Sequence, residues 1–282
     1  MVPTPTAAPF LRRTRALIIA GHPASVLGLT VLATALAALA APHGAGPPVL
    51  TAPAVLAGQL SACWSNDAAD ARRDATAGRT DKPVATGAIS VRAVWIAAVA
   101  ALLAALAMAL AISVPTAIIL AVIIGVNWAY NLALKSTPAD ALVAVIAFGL
   151  IPAYATSTVP GHPLPAWYAT VGAAVLGVGA HFATVLPDLA ADRATGVRGL
   201  AQLVAARWGV DTARRMVLMV VLSPSALLLW IARPQWVALA GLGAAIPLAM
   251  IAARGSGRTP LYAAIGIGAV NAAVLGIGCA LT

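Results

Sequence analysis

The chain has 282 residues, 61% of them hydrophobic and 9% charged, with a formal charge of +9 and a mean hydropathy of +0.95. That is more apolar surface than one soluble core hides, and the long uncharged runs point to a polytopic helical membrane protein rather than a water-soluble globule. A transmembrane barrel would show roughly ten-residue alternating segments, and basic residues that flank apolar runs, without a zinc finger, an RNA-binding aromatic motif or a basic helix, fit lipid headgroups and topology rather than nucleic acid.

Residues 1–15 form a Pro/Thr-rich, then basic, N-terminal tail. Nine helices are predicted after it, at about 16–41, 47–65, 90–111, 115–134, 139–157, 166–186, 213–231, 235–253 and 260–281. The first is too long for a signal-peptide core and reads as a retained span. Pro23, Pro152, Pro224 and Pro247 fall inside these helices, as packed membrane helices tolerate. With the N-terminus in the cytoplasm, sixteen of the seventeen Lys and Arg residues lie on the cytoplasmic side, and only Arg233 lies outside. A miscounted span would scramble that asymmetry. The expected placement is a bacterial plasma membrane crossed by a single domain, residues 16–282, and no oligomeric state follows from the sequence.

Gly268, Ala272, Gly276 and Ala280 lie four apart in the last span, a spacing that lets helix backbones approach. Cys63 and Cys279 sit in apolar context and read as packing residues. Trp167, Tyr168, Trp230 and Trp236 fall near outer span ends and suggest an interfacial belt.

The acids are eight aspartates, with no Glu. Asp67, Asp70, Asp74 and Asp81 lie in NDAADARRDATAGRTDKP (66–83), after the second span. On a helix, Asn66, Asp70 and Asp74 share a face, and like charges so spaced repel unless something such as a divalent cation holds them. PDLAADRATGVRGLA (187–201), after the sixth span, carries Asp188 and Asp192. DARRDATAG (70–78) and DLAADRATG (188–196) share the frame D-x-x-x-D-x-x-x-G, a short internal repeat at one membrane face. Carboxylate and amide oxygens are hard ligands that suit Mg²⁺, which also takes phosphate oxygens, and the absence of His and Cys from both segments argues against zinc. Two facing clusters therefore suggest a diphosphate held through Mg²⁺, with Arg72, Arg73, Arg79, Lys82 and Arg198 available for the remaining phosphate charge. The plain alternative is a solvated loop of exposed ion pairs.

These residues resemble the UbiA superfamily of intramembrane prenyltransferases. Its first signature, N-D-x-x-D-x-x-x-D, is met by Asn66, Asp67, Asp70 and Asp74. GRTDKPVATGAIS (78–90) is similar to the stretch that follows in some branches, R-P-x-x-x-G-x-I-S, with Lys82 in place of Arg. The second signature is met by Asp188, Asp192 and Gly196, and a third by Tyr130 and Lys135 in YNLALK. The resemblance implies an all-α fold, nine transmembrane helices around a central cavity under a cytoplasmic polar cap. It implies an isoprenyl diphosphate donor bound through Mg²⁺, loss of diphosphate, and capture of the allylic cation by a lipophilic acceptor. Carried over, the metal residues are Asn66, Asp70, Asp74, Asp188 and Asp192. Those four aspartates with Tyr130 are the catalytic set. Arg72, Arg79, Lys82, Lys135 and Arg198 are candidates for the diphosphate. Asp67 either binds substrate or metal or bonds to neighbouring basic groups, and Lys135 is either a phosphate ligand or a topology-setting charge.

His181, two turns before Asp188 and on its face, is placed against the acceptor or as a packing histidine. Asn127, Trp128, Asn131 and Asp140 are candidate cavity residues, Asn131 among the substrate contacts. His22 carries less signal. Competing readings are a terpene cyclase of the same fold, in which the prenyl chain captures its own cation, and transfer of phosphoribose to a polyprenyl phosphate. A cation transporter would need polar groups through the membrane's depth, which this chain lacks, and a scaffold would not need paired motifs.

Overall fold

The computed structural model describes residues 7–41 and 46–281. Residues 1–6 of the predicted tail, the link at 42–45 and the side chains of Cys279 and Ala280 lie outside the described residues. The helices are α1 (Ala7–Ala20), α2 (Pro23–Ala40), α3 (Thr51–Thr76), α4 (Val91–Ile112), α5 (Val114–Leu132), α6 (Asp140–Gly149), α7 (Ile151–Ser157), α8 (Trp167–Val185), α9 (Leu189–Ala194), α10 (Leu200–Trp208), α11 (Val210–Ile231), α12 (Gln235–Arg254) and α13 (Thr259–Leu281). Among the described residues eight helical stretches are long and apolar enough to cross a membrane, α6 and α7 sharing one. The ninth predicted span is the first half of α3, and the chain is a multi-pass membrane protein.

Three boundaries differ from the prediction. The first span opens at Pro23, not at residue 16, because Gly21-His22-Pro23 breaks the helix: His22 takes a left-handed φ of 51°, and Pro23 lacks the N–H that a continuous helix would use. The expected tail boundary at residue 15 therefore falls inside α1. The charged run after span two is helical as far as Thr76, with turns only from 77 to 83. It continues α3 as one helix of 26 residues. The segment after α8 holds two further short helices, α9 and α10, instead of an extended connection.

Each span packs on the next, α2 on α3, α3 on α4, α4 on α5, α5 on α6, α6 on α8, α8 on α11, α11 on α12 and α12 on α13; α13 returns to α2 and closes a ring. Small residues permit this spacing. A Cβ on Gly177 would fall 2.5 Å from Phe148 of α6, one on Gly241 2.4 Å from Val274 of α13, and one on Gly276 2.7 Å from Leu39 of α2. The stripe on α13 is thus a packing face as far as Gly276. Ser90 and Ser113 cap α4 and α5, their hydroxyls accepting from the Ala93 and Thr116 amides. Trp167, Trp230 and Trp236 are exposed, as a belt requires, whereas Tyr168 lines the interior cavity.

That cavity lies inside the ring. Leu29, Leu32, Leu176, Leu228 and Ile265 are among its walls, from α2, α8, α11 and α13, and Asn271 is a rare polar group there, engaged by the Ser225 hydroxyl at 2.8 Å.

Candidate active site

The charged half of α3 buries its acids. Asp67 is 1% exposed, Asp70 7% and Asp74 9%, and buried charges must be paired. Lys135, in the 3-10 turn after α5, and Arg73 both bind the Asp70 carboxylate. Lys135 also stands 6.0 Å over the Tyr130 ring. Burial pulls the Lys135 ammonium down, and Arg73 adds to that, while Asp70 opposes it. Burial pushes the Asp74 carboxyl up, and the Asp70 charge adds to it against Lys82, Lys135 and Arg79.

Asp67 turns away from this group. Its Oδ1 accepts from Lys82 Nζ at 2.5 Å and meets His22 Nε2 at 3.3 Å, while its Oδ2 is buried without a partner. Arg258, before α13, reaches the same His22 nitrogen at 3.0 Å. Burial works to raise the Asp67 carboxyl, but the His22 hydrogen bond and the Lys82 charge outweigh it and hold it below the usual carboxylate value. Lys82 is thus committed to Asp67, and the cluster ties α3 to the start of α2 and the α12–α13 turn. Asn66 donates to Asn131 Oδ1 at 3.1 Å, and Asn131 donates to Ser65 Oγ and to the Ala62 carbonyl. Both Asn131 amide hydrogens and one lone pair of its oxygen are engaged, so here it orients Asn66.

The second motif is built differently. Asp188 is exposed at the end of the 3-10 turn Leu186–Asp188, and Asp192 lies on α9. Gln202 of α10 donates to Asp192 Oδ2 at 2.8 Å, and its own Oε1 is buried without a partner. Burial raises the Asp192 carboxyl, Gln202 opposes that, and the Asp188 charge adds to it.

The two copies of the repeat end alike. Gly78 and Gly196 take φ of 68° and 79°. The amide after each glycine bonds back to the carbonyl of the motif's second aspartate, Arg79 to Asp74 at 3.0 Å and Val197 to Asp192 at 2.9 Å. Each glycine amide bonds the carbonyl three residues earlier, Gly78 to Ala75 and Gly196 to Arg193. This is the Schellman ending, in which a glycine at left-handed φ closes a helix. The frame's glycine is therefore a helix stop that holds the second carboxylate in place.

The two motifs face one polar space. Arg79 lies within electrostatic reach of Asp74 and Asp188, and Lys135 of Asp74 and Asp192. Arg79 is paired with Asp81 through two hydrogen bonds of 2.8 and 2.9 Å, and Arg72 and Arg198 are exposed. Among the described residues no three His, Cys, Asp or Glu side chains converge on one ion. The donor set of paired carboxylates and an amide suits a cation that takes few protein ligands and fills its shell with water and phosphate, as Mg²⁺ does.

Below this space Asn127, Tyr130, Asp140 and His181 line a cavity of about 220 Å³, of which Phe148 forms a wall; Phe148 also lines the apolar chamber. Tyr130 lies within electrostatic reach of Asp70, Asp140 and Asp192 and packs edge-on against His181 at 6.0 Å. Trp128 is not a wall residue: it donates to Ser61 at 3.1 Å and stacks obliquely on Trp95. Gln202 and Arg258 had no sequence signal beyond their type. The pattern Leu200, Leu203, Val204, Arg207 was the one sign of α10.

The sequence model of the UbiA prenyltransferase family matches residues 27–279. No curated protein matches the chain. Among solved structures, the chain is similar to a UbiA homologue from Archaeoglobus fulgidus bound to GPP and Mg²⁺, at 16% identity and a TM-score of 0.66, over 94% of this chain and 99% of that one. It is similar to a UbiA homologue from Aeropyrum pernix K1 without ligand, at 18% identity and TM-score 0.70, over 92% and 98%. A structure of digeranylgeranylglyceryl phosphate synthase in membranes gives 13% and 0.66, over 96% and 99%. These likenesses establish the fold.

Proposed function

The chain belongs to the UbiA prenyltransferase family, and from that premise we propose that it transfers an isoprenyl group from a prenyl diphosphate to a lipophilic nucleophile inside the membrane. The observation that carries this reading is the pair of glycine-stopped aspartate motifs in a chain that also encloses an apolar chamber, with the small cavity of Tyr130 and His181 sharing Phe148 with that chamber. The face that bears them is read as cytoplasmic, which the distribution of Lys and Arg supports.

Asn66, Asp70, Asp74, Asp188 and Asp192 would hold Mg²⁺, as the family neighbours bound to GPP and Mg²⁺ suggest. The ion's chemistry there is to neutralise charge on the departing diphosphate. Lys135 adds a fixed cation beside Asp70, and Arg79, Arg72 and Arg198 lie at the mouth. The bond from C1 of the donor to the diphosphate oxygen breaks, and the acceptor's electron pair forms the new bond to C1. Tyr130 lines the small cavity that shares Phe148 with the chamber, and an aromatic face stabilises a cation. Apart from Tyr168 and Asn271, whose oxygen takes the Ser225 hydroxyl, the walls are apolar and keep water from the cation.

The test uses Asp70→Asn and Asp188→Asn in purified protein with geranyl diphosphate and Mg²⁺. Each is expected to lower diphosphate release by about 10²- to 10³-fold while the protein remains folded. Wild-type turnover in either variant, on every donor length from geranyl upward, overturns the reading. Mass spectrometry of the product separates transfer from ring closure of the chain on itself.

A further inference from the structure

Resting on that reading, we propose that His181, oriented by Asp140, is the base that takes the proton shed by the acceptor. The acceptor class this requires is an X–H nucleophile, a hydroxyl or an activated ring carbon, bound in the small cavity beneath the aspartates.

His181 Nε2 stands 2.9 Å from Asp140 Oδ2. Asp140 is 1% exposed and, as a carboxylate, only accepts, so Nε2 carries the hydrogen and Nδ1 keeps its lone pair. Among the described residues no hydrogen bond reaches Nδ1, and His181 lines the cavity. Asp140 itself has no freedom. Its Oδ1 accepts from the Leu200 amide at 2.9 Å, and a Cβ on Gly199 would fall 2.0 Å from its Oδ2, so only glycine fits there. The loop that follows the second motif therefore clamps the carboxylate that sets the histidine's tautomer. A histidine kept only for packing would gain nothing from a buried carboxylate that leaves its other nitrogen bare beside a cavity.

No other group in this cavity is suited to take a proton. Tyr130 meets His181 with its ring, and its hydroxyl is a donor at neutral pH. The Asn127 amide donates to the Ile123 carbonyl at 2.8 Å. Asp140 is spent on His181 and Leu200, and Lys135, above Tyr130, is bound to Asp70. The step balances as follows: the C1–oxygen bond of the donor breaks and diphosphate leaves with that electron pair. The acceptor forms its bond to C1, and the proton moves to Nδ1. His181 ends as imidazolium, stabilised by Asp140.

The experiment compares His181→Gln and Asp140→Asn with the full-length protein, with geranyl diphosphate and Mg²⁺ as donor and a total membrane lipid extract as the acceptor source. Histidine ¹⁵N resonances are recorded in parallel. Expected are a fall in kcat for transfer of roughly 10²-fold or more, an unchanged donor KM, and a retained rise in unfolding temperature on adding geranyl diphosphate and Mg²⁺. Asp140→Asn, in which Asp140 acts as a positioning residue, is expected to move the hydrogen of His181 from Nε2 to Nδ1 and to lose transfer with it. Unchanged transfer in His181→Gln overturns the proposal, as does a wild-type His181 that carries its hydrogen on Nδ1. A loss of donor-induced stabilisation in His181→Gln also overturns it, since the residue would then belong to the donor site. Failure of the prenyltransferase reading itself looks different: the wild-type protein gains no stability from geranyl diphosphate and Mg²⁺.

Discussion

Lys82→Met separates two roles for one lysine. The Lys82 and Asp67 side chains are 10% and 0% exposed and meet at 2.5 Å, so water screens the pair little. Removing one member of such a pair leaves a buried charge and costs about 3–5 kcal/mol. His22 stays beside Asp67, with Arg258 on its ring nitrogen, and supplies part of the compensation, which places the expected cost near the low end, about 3 kcal/mol, or roughly a hundredfold in the folded-to-unfolded ratio. The assay is detergent-induced unfolding in mixed micelles followed by circular dichroism, together with the donor KM. Lys82→Met is expected to lower stability by that amount with an unchanged KM. Asp67→Asn with Lys82→Met is expected to recover most of the loss, because no charge is then left unpaired. A Lys82→Met protein as stable as wild type, with a raised donor KM, refutes the reasoning and returns Lys82 to the diphosphate.

Gly78→Ala and Gly196→Ala meet no atom within 4 Å, so their cost is conformational alone, roughly 1–2 kcal/mol each for a left-handed residue with a Cβ; the same unfolding assay reads it, and a neutral result at both would remove the helix-stop role. The pH dependence of Mg²⁺ stabilisation follows from Asp74 and Asp192, which burial raises above the ordinary carboxylate value. Without metal, their buried charge costs stability above the raised value, and that cost disappears as pH falls through it, since the folded state then binds the proton more readily than the unfolded one. With metal the sign reverses, because only the ionised carboxylates bind Mg²⁺. The rise in unfolding temperature caused by Mg²⁺ is therefore expected to be full at neutral pH and to shrink before the ordinary carboxylate range near pH 4 is reached; a rise that persists unchanged to that range contradicts the assignment.

Much of the site was legible because acids are scarce in this chain. Two aspartate frames at one face stand out in a chain that is 61% hydrophobic and 9% charged, and basic residues kept to one side fixed the order of the spans. The partners were not legible. Asp67 finds His22 from 45 residues away, Lys135 finds Asp70 from 65, and Gln202 reaches Asp192 across a helix that the hydropathy pattern hardly marks. Such pairings depend on which helices meet, and a single sequence does not carry that. The break at Gly21-His22-Pro23 was written in the residues, but the apolar run continues on both sides, and hydropathy outvoted the proline. The second span was ended at residue 65 for the opposite reason: polarity marked the edge of the membrane, while the helix started by the apolar half runs on to Thr76 and has buried partners to meet.

The unbroken α3 has a mechanical consequence. A helix of its 26 residues is about 39 Å long, against a hydrocarbon core of about 30 Å. Its apolar half settles by its match to the lipid, and its acidic half is a rigid extension of that same rod. Asp70 and Asp74 move only with that apolar half, since no break separates them. Asp192 rides instead on a short helix hinged to α8 through a 3-10 turn. One acidic frame is thus borne by the rod that also crosses the lipid, the other by a short helix of its own.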